Sequence, residues 1–227
     1  MLVQQPQQTM TSGAPVKLRI SEIFHSIQGE STRAGLPTVF VRLTGCPLRC
    51  VWCDTEYAFS GGKSTSLDEV LDQVTGYRCR TVCVTGGEPL AQPGCLVLLR
   101  ALCDAGFDVS LETSGAIDLA GIDERVSKIM DIKAPGSGEA GKTLWENLAR
   151  LGARDEIKFV LDSESDYAWA REVIDRHRLS TICPVLFSPV QGRLDPAQLA
   201  DWILRDSLPV RFQLQLHKLL WGSERGK

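Results

Sequence analysis

The sequence reads GCPLRCVWCDT from Gly45 to Thr55. Its cysteines, Cys46, Cys50 and Cys53, are spaced CxxxCxxC. Three thiolates on one short loop supply ligands for three irons of a cubane cluster, whereas most iron–sulfur electron carriers supply four cysteines. The fourth iron is then free to bind a small molecule. The spacing therefore predicts a 4Fe–4S site that does chemistry rather than one that only carries electrons.

Two simpler interpretations of these cysteines stay open, a zinc site and unligated thiols. Structural zinc sites have four Cys or His ligands, usually in two separated pairs. The other close pair, Cys79 and Cys83, lies in a β-like segment and is predicted to share one buried face of a strand. We expect Cys95, Cys103 and Cys183 to be buried as well, because they lie in apolar stretches.

Length and composition limit the class of protein. The chain has 227 residues, an apolar fraction of 43% and a net charge of −3. These values predict one domain, residues 17–227, after a disordered Gln- and Pro-rich tail at residues 1–16. With no basic field and no apolar run of about 20 residues, we expect neither a nucleic-acid nor a membrane partner. Cysteines without a secretory signal favour free thiols in a reducing compartment, so a cytoplasmic location is expected.

Strand-like and helix-like segments alternate from about residue 37 onward. Apolar runs rich in β-forming residues predict strands at 38–43, 81–84, 108–111, 128–132, 157–161, 184–187 and 211–216. Amphipathic or apolar segments predict helices at 67–74, 94–105, 118–125, 143–151, 166–178 and 195–204. Ser66 and Asp195 are expected to cap the first and last of these helices, with Pro196 in the first turn.

Alternation of this kind predicts an α/β fold with a parallel sheet of about six β-then-α units. Six units are too few for a closed eight-stranded barrel, so a partial, open barrel is expected. Polar motifs follow the predicted strands: TGGEP at 85–89, ETSG at 112–115, MDIK at 130–133 and FSP at 187–189. Ligands of such sheets bind at the carboxyl ends of strands, so these motifs and the cysteine loop should face one mouth. Taken alone, GGEP also fits a helix start, and ETSG fits a capped loop.

Together these features resemble the radical S-adenosylmethionine (SAM) enzymes. The three cysteines match the cluster motif of that family, and Gly86 to Pro89 match its GGEP motif for the methionine amino group. The resemblance implies that SAM chelates the open iron and is cleaved to methionine and a 5′-deoxyadenosyl radical. That radical would abstract a hydrogen from the substrate, while the protein positions the substrate and excludes water.

A narrower resemblance, to the 7-carboxy-7-deazaguanine synthase family, covers nearly the whole chain. It rests on EIFHSIQGE at 22–30, PTVFVR at 37–42, CDT at 53–55, TGGEPL at 85–90, LETSG at 111–115 and QLHKLLWG at 215–222. The resemblance implies conversion of 6-carboxy-5,6,7,8-tetrahydropterin to 7-carboxy-7-deazaguanine with loss of ammonia, in 7-deazapurine (queuosine) biosynthesis. It further implies Mg²⁺, regeneration of SAM, a homodimer and an electron donor such as flavodoxin.

The same resemblance implies the site residues, position by position. Implied substrate contacts are Ile27, Gln28, Gly29, Glu30, Arg42, Thr85 and His217, and the implied metal ligands are Cys46, Cys50 and Cys53 for the cluster and Thr55 for Mg²⁺. Implied cofactor contacts are Trp52, Cys53, Asp54, Gly86, Gly87, Glu88, Glu112, Ser114, Lys133 and Ser188. A carboxylate accepts two hydrogen bonds from an aminopyrimidinone edge, and a guanidinium fork suits a substrate carboxylate. One hydroxyl with substrate oxygens and waters suits magnesium.

Some of these positions have simpler interpretations. Arg42 also fits a surface cation on an edge strand, Asp54 and Thr55 fit a helix N-cap pair, and His217 fits a packed terminal histidine. Where many family members have Ser-Pro-Lys, this chain has Asp131-Ile132-Lys133, so it departs from the pattern at the first two positions and keeps the lysine.

Ser188 also departs from the pattern, because many members have Gln-Pro where this chain has Ser-Pro.

Two other functions remain open at this point. One is an activase that installs a glycyl radical on a partner protein, and the other is a zinc- or cluster-binding module without catalysis. The IQGE segment and the LHKLLWG ending favour the small-molecule enzyme over the activase. The GGEP and ETSG motifs after consecutive strands favour an enzyme over the binding module.

Overall fold

The computed structural model describes residues 16–227 and is built on one nine-stranded sheet. The strands are β1 (Lys17–Ile27), β2 (Pro37–Leu43), β3 (Lys63–Ser66), β4 (Thr81–Gly86), β5 (Asp108–Thr113), β6 (Ser127–Asp131), β7 (Glu156–Leu161), β8 (Val185–Pro189) and β9 (Arg211–Phe212). Their order across the sheet is β3-β1-β2-β4-β5-β6-β7-β8-β9. The predicted tail, residues 1–16, lies outside the described residues apart from Val16.

Most of the sheet is parallel. Strands β2 and β4 through β9 run in one direction, and β1 and β3 form an antiparallel edge. The carboxyl ends of parallel strands meet at one edge of the sheet, so the motifs that follow β4, β5, β6 and β8 lie along the same rim. Within residues 16–227, β3 and β9 do not pair with each other. The predicted open, partial barrel is confirmed.

Helices cover the outer face of this sheet. They are α1 (Leu67–Gly76), α2 (Gly94–Asp104), α3 (Glu164–His177) and α4 (Pro196–Arg205). A short fifth helix, α5 (Leu216–Trp221), instead lines the central cavity with His217 and Lys218. Helices α1 and α2 pack against β1, β2, β4 and β5 in one apolar core, and α3 and α4 pack against β6 to β8 in a second. Ser66 caps α1 in a capping box with Glu69, and Asp195 caps α4 ahead of Pro196, as predicted.

The strands alternate between these outer cores and the inside of the barrel. On β7, Ile157, Phe159 and Leu161 lie in the outer core, whereas Lys158 and Val160 line the central cavity. Successive side chains of an extended strand point to opposite faces of the sheet, so every second residue faces the cavity. Polar residues at inward positions are therefore delivered to the cavity by the register of the sheet.

The helix predicted at residues 118–125 is wrong, because that segment forms turns. Asp118 accepts a hydrogen bond from the Ala120 amide at 2.9 Å, and Asp123 accepts one from the Arg125 amide at 3.0 Å. Such local bonds compete with a helix, and Gly121 between them has a positive φ of 80°. The segment predicted as helix at 143–151 contains only a short 3₁₀ helix, Trp145–Arg150.

The two ends of the sheet also differ from the prediction. Strand β1 is 11 residues long and was not predicted, because a register shift between Ile20 and Glu22 breaks its apolar alternation. The short strand β3 was not predicted either. The last strand, predicted over 211–216, is only Arg211–Phe212, and the chain then turns into α5.

Four of the five cysteines outside the triplet are buried, as predicted: Cys83, Cys95, Cys103 and Cys183. Cys79 is only half-buried and precedes β4, so the prediction that it shares a buried strand face with Cys83 is wrong. Its thiol donates a hydrogen bond to the carbonyl of Pro37 at 3.2 Å instead. Among the helices of the described residues, none has the length and apolar character needed to cross a bilayer.

Candidate functional site

The cysteine loop, residues 44–59, is held in place by backbone hydrogen bonds. The Gly45 amide donates to the carbonyl of Ala58 at 2.8 Å, which closes the loop on itself. The Glu88 amide donates to the carbonyl of Gly45 at 2.8 Å, and the Val51 amide donates to the carbonyl of Ser137 at 3.0 Å. The loop is therefore docked on the segments that follow β4 and β6, at the rim of the sheet.

The glycine pair after β4 makes this docking possible. A Cβ atom on Gly87 would lie 2.7 Å from the Cβ atom of Cys46, and one on Gly86 would lie 3.1 Å from the Leu43 amide and closer still to its carbonyl oxygen. Real Cβ atoms do not approach other atoms this closely, so only glycine fits at both positions. The glycine pair lets the cysteine loop lie directly on the end of β4.

The three thiols of this loop face the same cavity. Cys46, Cys50 and Cys53 are free and half-buried. Burial raises the pKa of Cys46, and it raises the pKa of Cys50 to about 11 although Lys133 acts to lower it. These two thiols are therefore neutral near pH 7 until a bound cation displaces the proton.

This donor set fits an iron–sulfur cluster. Soft thiolates select zinc, copper(I) and iron–sulfur clusters. Within residues 16–227, no group of three or more Cys, His, Asp or Glu side chains converges around a single ion. A closed zinc site needs four converging ligands, whereas a cluster of several irons bridges thiolates that stand farther apart. Cys46, Cys50 and Cys53 would hold such a cluster.

The cavity that the thiols face has a volume of about 700 Å³. It lies at the mouth of the open barrel, and most of the site residues predicted from the sequence line it. Those that line it are Ile27, Gln28, Gly29, Glu30, Arg42, Cys46, Cys50, Trp52, Cys53, Asp54, Thr55, Thr85, Gly86, Gly87, Glu112, Ser114, Lys133 and His217.

The segment after β1 forms one wall of the cavity. The Gln28 amide group donates to Glu112 at 3.3 Å, and the Thr85 hydroxyl donates to the other Glu112 oxygen at 2.9 Å. Glu30 accepts from Lys158 and, at 2.6 Å, from Gln215. Burial alone would raise the pKa of Glu30, but the charge and hydrogen bond of Lys158, together with the hydrogen bond of Gln215, act against burial, and the pKa lies below its usual value. Glu30 is therefore an anionic acceptor at neutral pH.

Arg42 lies on β2 at the same cavity, so the surface-cation interpretation is wrong. Its side chain is 15% exposed, and its Nε atom donates to Glu22 at 2.8 Å. Tyr57 donates its hydroxyl to the same Glu22 oxygen at 2.7 Å. Burial acts to lower the pKa of Arg42, but Tyr57 and Glu22 raise it above the usual value. Arg42 thus remains a cation in a half-closed, partly apolar setting.

His217 is brought to the cavity by α5. The ring packs on Gly29, and the amide of Leu216 donates to the carbonyl of Gly29 at 2.9 Å. Burial lowers the pKa of His217, so the imidazole is neutral near pH 7. The next residue, Lys218, forms an ion pair of 2.7 Å with Asp54 from the cysteine loop. His217 therefore both packs against the chain and faces the cavity.

Thr55 begins a short 3₁₀ helix, Glu56–Ala58, but its side chain makes no capping hydrogen bond. The hydroxyl lies 3.7 Å from the Cys53 sulfur. Asp54 is engaged by Lys218 rather than by the helix. The N-cap interpretation of these two residues is not supported, and the Thr55 oxygen is available to a ligand in the cavity.

Comparison with known proteins agrees with this geometry. Residues 40–135 match the Radical SAM superfamily. A protein of Chlorobaculum tepidum named 7-carboxy-7-deazaguanine synthase is 47% identical over 95% of this chain and 98% of its own length. One of the same name from Koribacter versatilis is 44% identical over 91% of this chain and 98% of its own. This chain belongs to the 7-carboxy-7-deazaguanine synthase family.

The fold of this synthase-family chain is also found in a solved structure. The crystal structure of QueE from Escherichia coli superposes with a TM-score of 0.73, covering 88% of this chain and 95% of that one at 24% identity. At that identity the match supports the fold alone. Of the three functions that the sequence left open, family membership selects the synthase over the activase and the binding module.

Two predicted cofactor residues of this synthase-family chain do not line the cavity. Glu88 is fully buried behind the rim, and its carboxylate accepts hydrogen bonds from the Thr113 hydroxyl at 3.0 Å, the Ser114 amide at 2.7 Å and the Ser114 hydroxyl. These bonds join the GGEP loop to the ETSG loop, and a further bond from the Leu90 amide at 3.1 Å lies within the GGEP segment itself. Ser188 is fully buried on β8, and its hydroxyl has no hydrogen-bond partner among the described residues.

Sequence reasoning missed several residues of the synthase cavity. Lys158, Tyr57 and Gln215 line it, and so does the end of the chain from Gly222 to Lys227. The sequence does mark Lys158 as unusual, because it is a lysine inside the otherwise apolar run IKFVL. A charge in the middle of a buried strand needs a partner, and the sequence alone does not show which one.

Proposed function

We propose that this chain converts 6-carboxy-5,6,7,8-tetrahydropterin to 7-carboxy-7-deazaguanine with loss of ammonia, as a step of 7-deazapurine (queuosine) biosynthesis. The reaction contracts a ring and regenerates SAM. Family membership supports the proposal, and one structural observation carries it. The cysteine loop and the Gln28–Glu30 segment line a single cavity, so a radical formed near the cysteines would reach a pterin held by that segment.

When bound, the 4Fe–4S cluster and SAM supply a 5′-deoxyadenosyl radical to this cavity. The residues of the chain hold and orient these groups. Cys46, Cys50 and Cys53 would ligate three irons, which leaves one iron open. The cavity wall formed by Trp52, Asp54, Gly86, Gly87, Glu112, Ser114 and Lys133 would hold SAM.

The substrate would be recognised by both of its ends. Glu30 is anionic and would accept hydrogen bonds from the aminopyrimidinone edge, with the neutral His217 beside it. Arg42 would pair with the substrate carboxylate, because a guanidinium forms two parallel bonds to such a group. Holding both ends of the substrate fixes the position of the hydrogen to be abstracted relative to the radical. Such positioning of reacting atoms accelerates a reaction.

Magnesium would bind through Thr55, with the remaining ligands from substrate oxygens and water. Held there, magnesium would act as a Lewis acid toward the substrate oxygens that bind it. We also propose a homodimer and a flavodoxin-type electron donor, as in the family that the sequence resembles. We propose a cytoplasmic setting because the cysteines of this chain are free thiols.

The experiment is anaerobic reconstitution followed by reduction with SAM and carboxytetrahydropterin. The expected result is a brown protein that forms a deazapurine acid and ammonia, more slowly when Mg²⁺ is omitted. Thr55→Val should reproduce the magnesium-free rate and become insensitive to added Mg²⁺. A reconstituted wild-type protein that cleaves SAM but leaves the pterin unchanged would refute the proposed substrate. A protein that yields 5′-deoxyadenosine only with a partner polypeptide would point to the activase instead.

A further inference from the structure

A chain of charged and polar side chains, one buried and the others half-buried, lines the cavity. It consists of Gln215, Glu30, Lys158, Asp131 and Lys133, and we refer to it as the Lys158 network. Lys158 contacts Glu30 on one side and Asp131 at 3.1 Å on the other, and Lys133 contacts the same Asp131 oxygen at 3.1 Å. Gln215 completes the network at the other end by donating to Glu30 at 2.6 Å.

Sheet register puts Lys158 at the centre of this network. Lys158 on β7 is the register partner of Asp131 on β6, so the two side chains lie next to each other on the inward face. Glu30 reaches the same point from the loop between β1 and β2. An ammonium group has three donors, and two of them are accounted for by Glu30 and Asp131.

The network connects the two halves of the proposed reaction. Glu30 lies on the segment assigned to the pterin, and Lys133 lies on the wall assigned to SAM. The second oxygen of Asp131, Oδ1, is buried and has no hydrogen-bond partner within the described residues, although the residue lines the cavity. Buried carboxylate oxygens normally accept a hydrogen bond, so an unpartnered one at a cavity wall indicates that a bound ligand donates to it.

We propose that Lys158 is a positioning residue for the substrate: it holds the Glu30 carboxylate in one orientation for the aminopyrimidinone edge. This inference rests on the proposed function and extends it to a residue that would act through Glu30. Lys158 fixes one Glu30 oxygen and Gln215 fixes the other, so the plane of the carboxylate is set from two directions. The remaining lone pairs of both oxygens stay available to the substrate.

A second buried lysine supplies a matched comparison. Lys128 on β6 forms an ion pair with Asp155 at 3.0 Å, and its side chain is 11% exposed, the same as that of Lys158. Lys128 does not line the cavity. Removing either lysine leaves a buried carboxylate without its cation, which destabilises a protein strongly. Only the loss of Lys158 should alter substrate binding.

The test uses the reconstituted holoenzyme and four variants: Lys158→Met, Lys158→Arg, Lys128→Met, and Lys158→Met combined with Asp131→Asn. The double variant removes one cation and one anion, so the remaining Glu30 and Lys133 stay balanced. Thermal midpoint, KM and kcat for carboxytetrahydropterin at saturating SAM, and 5′-deoxyadenosine formed without substrate would be measured for each.

We expect both single variants to lower the thermal midpoint and only Lys158→Met to raise KM, by roughly tenfold to a hundredfold, the loss of a charged hydrogen bond. The double variant should recover stability and keep the high KM. Lys158→Arg should restore part of the affinity. A KM within twofold of wild type in Lys158→Met, an equal KM change in Lys128→Met, or a KM that recovers with stability in the double variant would overturn the inference. If wild-type protein itself does not turn over the pterin, the proposed function fails and the inference fails with it.

Discussion

Gly29→Ala is the sharpest single test of how the substrate wall is built. A Cβ atom on Gly29 would lie 2.9 Å from His217 Cγ, 3.0 Å from the His217 amide nitrogen and closer still to Nδ1. Ordinary carbon contacts begin at about 3.5 Å. The imidazole would therefore have to move by about 1 Å, while the nearby hydrogen bond from Leu216 to Gly29 limits how far α5 itself can shift.

The effect on activity follows from that displacement. A misplacement of about 1 Å in a positioning group costs on the order of 10²-fold in rate. We therefore expect kcat/KM for the pterin to fall by about that factor in Gly29→Ala. The ring can move into the open cavity, so the stability cost should stay within the roughly 1–3 kcal/mol typical of overpacking.

Steady-state kinetics of the reconstituted enzyme would measure this, with SAM cleavage in the absence of substrate as an internal reference. SAM cleavage should not change, because the atoms nearest to a Cβ on Gly29 all belong to His217 and none to the cysteine loop. Gly152→Ala is the control, since a Cβ there meets nothing within 4 Å. If His217 is the group displaced, Gly29→Ala in a His217→Ala background should cost little more. A wild-type kcat/KM in Gly29→Ala, or full additivity in the double variant, would refute the reasoning.

Three further outcomes are expected. Cys50→Ala leaves two thiolates for the cluster, so SAM cleavage should be abolished while the thermal midpoint of the metal-free protein moves by less than about 2 °C; retained turnover would contradict the cluster assignment. Glu88→Gln replaces a carboxylate that accepts buried hydrogen bonds from Thr113 and Ser114. The free energy of unfolding should fall by about 2–3 kcal/mol and the thermal midpoint by roughly 4–12 °C. An unchanged midpoint would show that the carboxylate is not needed there. The hydrogen bond from Arg33 holds the pKa of Asp108 below its usual value, so its stabilisation is present above about pH 4 and is lost as pH falls through the lowered pKa. Asp108→Asn should therefore flatten the acid side of a plot of thermal midpoint against pH, and parallel curves for the two proteins would argue against the pair.

The part of the fold that flanks the cavity was predictable because local and tertiary preferences agree there. Strand β4 is a β-branched run, TVCV, that ends in a glycine pair, and β5 ends in ETSG in the same way. A strand that ends in polar residues delivers them to the rim whatever its neighbours are, provided the sheet is parallel. The side chains of the cysteine loop, Thr85, Glu112 and Lys133 could be placed at one mouth for that reason.

The edges of the sheet and the supports behind the rim were less predictable. A register shift hides β1, and α5 is only six residues long, so neither gives a clear periodic pattern. The position of Glu88 depends on which residues its carboxylate contacts, and the sequence shows that a carboxylate is present but not which residues it will contact. Lys158 is anchored by Glu30, 128 positions earlier in the chain. Contacts at that separation are set by strand order, which sequence pattern does not fix.

The burial of Glu88 changes how the GGEP motif should be understood in this chain. Gly87 brings the cysteine loop against the end of β4, and Glu88 then ties the same turn to Ser114 after β5. Three consecutive parallel strands, β2, β4 and β5, thus end in loops that are bonded to one another in series. Cys46, Cys50 and Cys53 lie on the first of these loops, so we expect a defect in the third loop to disturb a cluster bound there through Glu88. The motif would therefore support a bound cluster through the packing of these loops, in addition to any contact that its glycines would make with SAM.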